Sequence, residues 1–536
     1  EIMPSLVGSE MCIRDRENMR NKSIRNAFCL LCLALMSLLQ FSCSGSSNGG
    51  KVVKHVNDLH GAMIGVQLGT TSDVLATSLE DKGDGTKVER FTKSADAIQA
   101  LTQGKIDCMV EDEQPAKAFL RLNPSLEILP DEFGHSSLAI CVAKGNEDLQ
   151  MKINEAIELL RKSGVIDSIV RRHIDRNIAV AYQPGECHLA TSKLAKDSSV
   201  GSASSPSTLR FSTNAAFEPF EYYDNGKIVG IDIDVARAIC DVLHMKCEIV
   251  DMEFDAVITS VQTGKADAGI AGITVTPERK KNINFTDSYT DVRQVVIVNG
   301  GSIAPAKQSL AEQFETCFVT GNRYQYLLKG LGNTLIITFF AILLSLMLGT
   351  LIAIIRATHD RNGNHRILNF LCQFYLTIIR GTPTMVQLLI IYYVVFASAN
   401  VDKIFVAIIA FGLNSAAYIS EVIRSGIMSV DKGQMEAGRS LGLSYSQTMR
   451  LVILPQAFKN VLPAMGNELI TLLKETSISG YIGLVDLTKG SDIIRSITYD
   501  AMMPLGVVAL IYLAIVVALS MGVRRLEKKL RKNEKQ

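Results

Sequence analysis

The sequence predicts a chain in two parts, a soluble part followed by an all-α transmembrane domain of about five helices. Two observations carry this. First, 536 residues, 47% of them hydrophobic, with a mean hydropathy of +0.20 and no tryptophan, are too many for one domain and too apolar for a wholly soluble protein. Second, the apolar residues are concentrated: from about residue 325 the chain becomes a series of long, nearly uncharged runs. The formal charge of +1 comes from 55 basic and 54 acidic residues, which leaves no electrostatic case for a nucleic-acid partner.

Residues 1–18 begin with Glu and run through Pro4-Ser5-Leu6-Val7-Gly8-Ser9-Glu10-Met11; they read as an artefactual leader, with Met19 as the expected start. Arg20, Lys22 and Arg25 then precede an apolar run, 27–39, too short to span a bilayer comfortably as a helix. This is the pattern of a lipoprotein-type signal peptide over 19–43, with Cys43 as the expected lipidation site. Gln40 and Phe41 fit a strict lipobox poorly, so cleavage without lipidation, or retention as an anchor, stays open. Of the 11 cysteines, Cys240 and Cys247 could pair, two buried thiols being the expected state. No close metal-ligand pair occurs, and no metal site is expected.

The first expected span, 332–355, has the length a bilayer demands, on the order of 20 residues at 1.5 Å rise each. Others are expected at 367–397, 403–424, 460–484 and 502–522, with Arg380-Gly381-Thr382-Pro383-Thr384 as a bend within the second. An odd count puts the ends of the membrane domain, 325–523, on opposite sides. Arg356, Arg361 and Arg366, the group Arg424 to Lys459, and the basic tail 524–536 mark the cytoplasmic side by the positive-inside rule. Everything before residue 325 then lies outside, in agreement with the signal peptide.

Between the third and fourth spans runs Gly433-Gln434-Met435-Glu436-Ala437-Gly438-Arg439-Ser440-Leu441-Gly442, continuing to Leu454-Pro455-Gln456-Ala457. A short helix is expected here, with Gly442 permitting a tight turn and Pro455 starting the next element. This stretch resembles the ATPase-coupling loop of ABC importer permeases, with Gly438 and Val452 as mild departures that keep its spacing. Three more blocks resemble the polar amino-acid branch of those permeases: Gly330-Leu331-Gly332-Asn333-Thr334-Leu335, Arg380-Gly381-Thr382-Pro383, and Tyr418-x-x-Glu421-x-x-Arg424-Ser425-Gly426. A further one is Lys474-Glu475-Thr476-Ser477-Ile478. Lys474 and Glu475 are ionisable residues in an apolar segment; they are expected either to line a translocation path or to be structural partners.

The soluble part contains Thr213-Asn214-Ala215-Ala216-Phe217-Glu218-Pro219-Phe220, Val229-Gly230-Ile231-Asp232-Ile233-Asp234 and Ala271-Gly272-Ile273-Thr274-Val275-Thr276-Pro277-Glu278-Arg279. These resemble the first lobe of the family-3 periplasmic amino-acid-binding proteins, over 209–300. Gly65-Val66-Gln67-Leu68-Gly69-Thr70-Thr71-Ser72 and the stretches 107–119 and 137–174 resemble the second lobe and the segment that returns to the first. The resemblance implies an α/β bilobed fold, circularly permuted, with 51–174 as second lobe and return segment and the polar stretch 175–208 as linker. Two truncated domains in tandem are the alternative, but each would expose unpaired sheet edges.

Carried over residue by residue, the family pocket places Arg279 on the ligand α-carboxylate, with Thr274 and Thr71 assisting. Asp112 and the Gly272 carbonyl take the α-ammonium, and Phe217 and Phe254 sandwich the side chain. Asn214 stands where relatives often have Asp, which favours a neutral polar ligand such as glutamine over a cationic one; Gln67 and Glu111 could reverse this. The resemblance implies ATP-driven import without catalytic residues in this chain. No Gly-x-x-x-x-Gly-Lys-Ser/Thr pattern occurs, so ATP and Mg belong to a separate cytoplasmic ABC ATPase dimer, engaged through Glu436 and Ala437. One coupling loop per chain implies a second permease subunit, expected as a homodimer in the bacterial inner membrane. The alternatives are a membrane-tethered amino-acid sensor and a ligand-gated channel.

Overall fold

The structure, a computed structural model, describes residues 51–175, 182, 208–300, 309–363, 365–397 and 401–532. The leader, the signal peptide, Cys43 and nearly all of the 175–208 linker lie outside these residues. Of that stretch Asp175, Tyr182 and Thr208 are described; Tyr182 is buried, and its hydroxyl donates to Asp241 at 3.0 Å.

The first block runs β1 (Met63–Gln67), α1 (Thr71–Glu80), β2 (Lys87–Phe91), α2 (Ser94–Thr102), β3 (Cys108–Asp112), α3 (Glu113–Leu122), β4 (Leu126–Val142), α4 (Glu147–Lys162) and α5 (Val165–Asp175). The second runs β5 (Thr208–Thr213), β6 (Ala216–Phe217), β7 (Glu221–Asp224), β8 (Lys227–Val229), α6 (Ile231–Val242), β9 (Lys246–Asp251), α7 (Phe254–Gln262), β10 (Ala268–Gly269), α8 (Pro277–Lys280) and β11 (Asn284–Asn299). The alternation of strand and helix gives parallel pairing of β1 with β2 and β3, and of β5 with β9 and β10. All five residues of β3 are buried, as expected of a strand covered on both faces.

Both blocks contribute to one eight-stranded sheet, ordered β2-β1-β3-β11-β4-β10-β5-β9. Each half of the sheet therefore has its neighbour, and neither block exposes a half-sheet. β4 and β11, 17 and 16 residues long, pair antiparallel along most of their lengths and pass through both lobes. Separate cores flank them. In lobe one, Leu138, Ile140, Ile153, Ile157, Phe211 and Ile239 pack together; in lobe two, Leu59, Ile64, Val66, Val110 and Val296 do so. Two cores joined by two strands form a hinge architecture.

Beyond residue 309 the chain is helical: α9 (Tyr324–Asn362), α10 (Arg366–Gly381), α11 (Thr384–Ile390), α12 (Lys403–Met428), α13 (Lys432–Ser440), α14 (Leu454–Glu475), α15 (Leu487–Thr498) and α16 (Met502–Lys532). Among the described residues, α9, α12 and α16 are long and apolar enough to cross a membrane, and α10 with α11 makes a fourth span if that pair is one span. Within the expected run 460–484, α14 carries Glu468, Lys474 and Glu475 and ends at residue 475, and a 3-10 turn, Thr476–Ile482, follows. The second run does bend, by 110°. Pro383 has no N–H and forces Thr382 out of the helical region, to φ −123°, ψ 147°.

The sequence blocks now have physical reasons. Gly330 abuts the Asp486 carbonyl so closely that a Cβ would sit 2.3 Å from it, while Asn333 donates to Val485 O at 2.8 Å. Glu421 bridges Arg356 and Arg424, the latter at 3.1 Å, tying α12 to α9. Cys240 and Cys247 are free thiols.

Candidate functional site

The cleft lies where parallel strands from the two lobes end. Gln67 closes β1, Asp112 closes β3 and Asn214 follows β5, so the fold directs polar groups from both lobes to one place. The resulting cleft is lined by all nine residues named from sequence: Gln67, Thr71, Asp112, Asn214, Phe217, Phe254, Gly272, Thr274 and Arg279. Residues 67–112 come from one lobe and 214–279 from the other.

Arg279 is placed by α8, a single turn that starts at Pro277 and is capped by the Thr276 side chain. Its guanidinium donates to Thr274 O at 2.7 Å and across the cleft to Gly69 O at 2.6 Å, and lies 5.7 Å from the centre of the Phe254 ring. Burial lowers its pKa from the ordinary arginine value. Gly272 has φ +55°, and a Cβ there would meet the Phe217 ring at 3.0 Å. Phe217 in turn stacks on Phe220, with ring centres 5.6 Å apart. The Asn214 side chain donates to Met252 O at 2.8 Å.

The opposite wall is acidic. Asp112 accepts from Gln294 at 2.8 Å; burial pushes its pKa up to about 6 against that hydrogen bond. Glu111 accepts from the Ser94 hydroxyl and from the Asp112 N–H at 3.0 Å. Burial, and then the Asp112 charge, raise it to about 8. The Thr71 hydroxyl is buried with no hydrogen-bond partner among the described residues, one donor and acceptor that a bound ligand could satisfy. Sequence reasoning missed Thr70, Ser72, Ala271 and Glu221, which also line the cavity. Glu221 directly follows the motif ending at Phe220. Burial first, and the Asp232 charge next, hold its carboxyl well above the usual range.

The other predicted site residues lie elsewhere. Glu436 and Ala437 are exposed on α13, a nine-residue helix capped by Asp431. Gly442 has φ +85° just beyond its end, and Pro455 occupies the first turn of α14. Gly438 faces inward: a Cβ would approach Thr448 Cγ2 to 2.4 Å, which explains why Gly stands there. Lys474 is exposed in the last turn of α14 and Glu475 is half-buried. Neither lines the cleft.

A hinged two-lobed domain with a polar cleft between its lobes, joined to apolar spans, defines a membrane-linked solute receptor. Residues 209–530 match the bacterial extracellular solute-binding proteins, family 3, and the chain belongs to that family, with a polar amino-acid ABC permease fused in its C-terminal part. The Bacillus subtilis arginine transport system permease protein is 38% identical over 211 residues, 39% of this chain and 94% of that one. A putative glutamine transport system permease protein of Rickettsia bellii is 38% identical over 222 residues, 40% of this chain and 98% of its own length. The crystal structure of an amino acid ABC transporter with histidines shares 38% identity, covering 40% of this chain and 98% of that one, with a TM-score of 0.37.

Proposed function

We propose that this chain is the receptor and permease subunit of an ATP-driven importer that captures a polar amino acid outside the bacterial inner membrane and passes it inward. The observation that carries the reading is the convergence of nine residues from both lobes on one cleft, with Arg279 for a carboxylate and Asp112 for an ammonium. A ligand touching both lobes stabilises the closed state through its differential affinity. ATP and Mg are used by a separate ATPase dimer that engages the exposed Glu436–Ala437 face, and two permease subunits, as a homodimer, supply two such faces. The lipidated or anchored N-terminus at Cys43, the outward-facing binding domain and a translocation path past Lys474 and Glu475 belong to this same proposal, as does permutation of the binding domain.

Asn214 in place of a carboxylate supports a neutral side chain such as that of glutamine. Glu111, buried in the same cavity, supports a second reading, a cationic side chain. Calorimetric titration of the full chain with L-glutamine and with L-arginine separates the two. Transport itself is tested by uptake in cells carrying the chain and its ATPase. Glu436→Lys is expected to abolish uptake and leave ligand affinity unchanged; unimpaired uptake would sink the coupling assignment and favour a sensor.

A further inference from the structure

One short permease helix touches both lobes. α15 starts at Asp486, whose carboxylate caps it by accepting from the N–H groups of Lys489 at 2.9 Å and Thr488 at 3.4 Å. Lys489, Asp492 and Arg495 recur every third residue and so share a face. Lys489 Nζ lies 2.8 Å from Glu253 and 3.8 Å from Asp251, both in lobe one. Asp492 lies 2.7 Å from Lys93, and Arg495 pairs with Asp96, both in lobe two. Arg495 also reaches back to Asp492 at 2.8 Å, which fixes the two against each other. Burial opposes the Lys489 charge, but the Asp251 and Glu253 carboxylates outweigh it and hold its pKa above the ordinary lysine value.

The four lobe residues are next to the cleft. Glu253 immediately precedes α7, whose first residue, Phe254, lines the ligand cavity. Lys93 immediately precedes α2, whose first residue, Ser94, places its hydroxyl within hydrogen-bond reach of Glu111 and Gln67 at the far wall. Lys93 and Glu253 themselves approach to 3.9 Å across the cleft. The stripe also lines a second cavity, which shares Phe254 with the ligand cavity and reaches Ser477, Gly480 and Tyr481 of the permease. Lobe two also packs Phe119 edge-on against Tyr499, just past the end of α15, with ring centres 4.9 Å apart, while further contacts fasten lobe one: Lys403 Nζ donates to Asp251 O at 3.2 Å, Gly483 abuts that carbonyl, and Gly226 N donates to the Tyr326 hydroxyl at 2.9 Å.

We propose that α15 is the element by which the permease reads closure of the binding domain. Its 12 residues form a rigid bar. When the lobes part about β4 and β11, Lys93 and Asp96 separate from Asp251 and Glu253, and one bar cannot hold both sets. Lobe one stays docked through Lys489, Lys403 and Tyr326. Lobe two engages Asp492 and Arg495 only when the cleft is shut, so docking and closure stabilise each other. This deepens the importer reading and rests on it for its purpose, though not for its geometry.

The test uses the full chain in lipid nanodiscs, with nitroxide-bearing unnatural amino acids at the exposed positions Lys82 in lobe two and Lys227 in lobe one. Pulsed electron resonance reads the distance distribution between lobes. Arg495→Glu is expected to cut the closed population at least threefold, Arg495→Gln to cut it less, and Arg495→Glu with Asp96→Arg to restore it. Restoration also certifies that the single variant is folded. An unchanged distribution in both single variants, or a loss that the charge swap does not reverse, overturns the proposal. Persistent uptake alongside an unchanged distribution would remove the closure reader and leave the importer standing.

Discussion

Glu111 makes the stability of the binding domain depend on pH, and its replacement by Gln removes that dependence. The carboxyl is 4% exposed and its pKa stands at about 8 rather than 4.5, raised by burial and by Asp112. Below pH 4.5 the folded and unfolded chains both hold the proton. Between 4.5 and 8 only the folded chain does, so unfolding releases a proton and is promoted as pH rises. The stabilising contribution is whole below the unfolded pKa and lost as pH passes through the folded one. At 1.36 kcal/mol per pH unit, the span corresponds to a ceiling of about 5 kcal/mol. That is roughly 10–20 °C in Tm for a unit of this size. Asp112 titrates in the same direction, from 3.8 toward about 6, and remains in both proteins, so the difference between them isolates Glu111. Scanning calorimetry of the full chain from pH 5 to 8 is the assay. The wild-type transition should fall by several degrees more than that of Glu111→Gln. Parallel curves would refute the claim that this buried carboxyl is protonated in the folded cleft.

Arg279→Lys should weaken ligand binding about 10- to 100-fold, because an ammonium cannot reproduce the fork that reaches Thr274 and Gly69, and charged hydrogen bonds are worth about 1.5–3 kcal/mol. Equal affinities by titration would remove Arg279 from the carboxylate site. Gly438→Ala should destabilise the α13–α14 region by about 1–3 kcal/mol through the clash with Thr448, and Thr448→Ala should recover most of that loss. Melting curves of the single and double variants in detergent check it; additive losses would mean that the two side chains do not meet.

Sequence alone determined the division into a soluble and a membrane part, since hydropathy and charge bias are summed over long windows that no packing detail overturns. The resemblance to the family named the nine cleft residues, and local chemistry explains how some of them are held: Thr276-Pro277 for Arg279 and the left-handed Gly272 for its approach to Phe217. The end of α14 was less legible: Lys474 and Glu475 look tolerable inside a hydrophobic window, and only the structure shows the helix giving way to a 3-10 turn at Thr476. Glu221 was hidden as well. A carboxylate in sequence reads as solvated, and only tertiary burial, with Asp232 beside it, places it in the cleft wall with its pKa above the usual range. Tertiary structure alone decided that Lys489, Asp492 and Arg495, an ordinary charged helix face in sequence, meet Asp251, Glu253, Lys93 and Asp96. Those partners lie hundreds of residues away, and no local periodicity records a contact made only when two lobes and a permease share one surface.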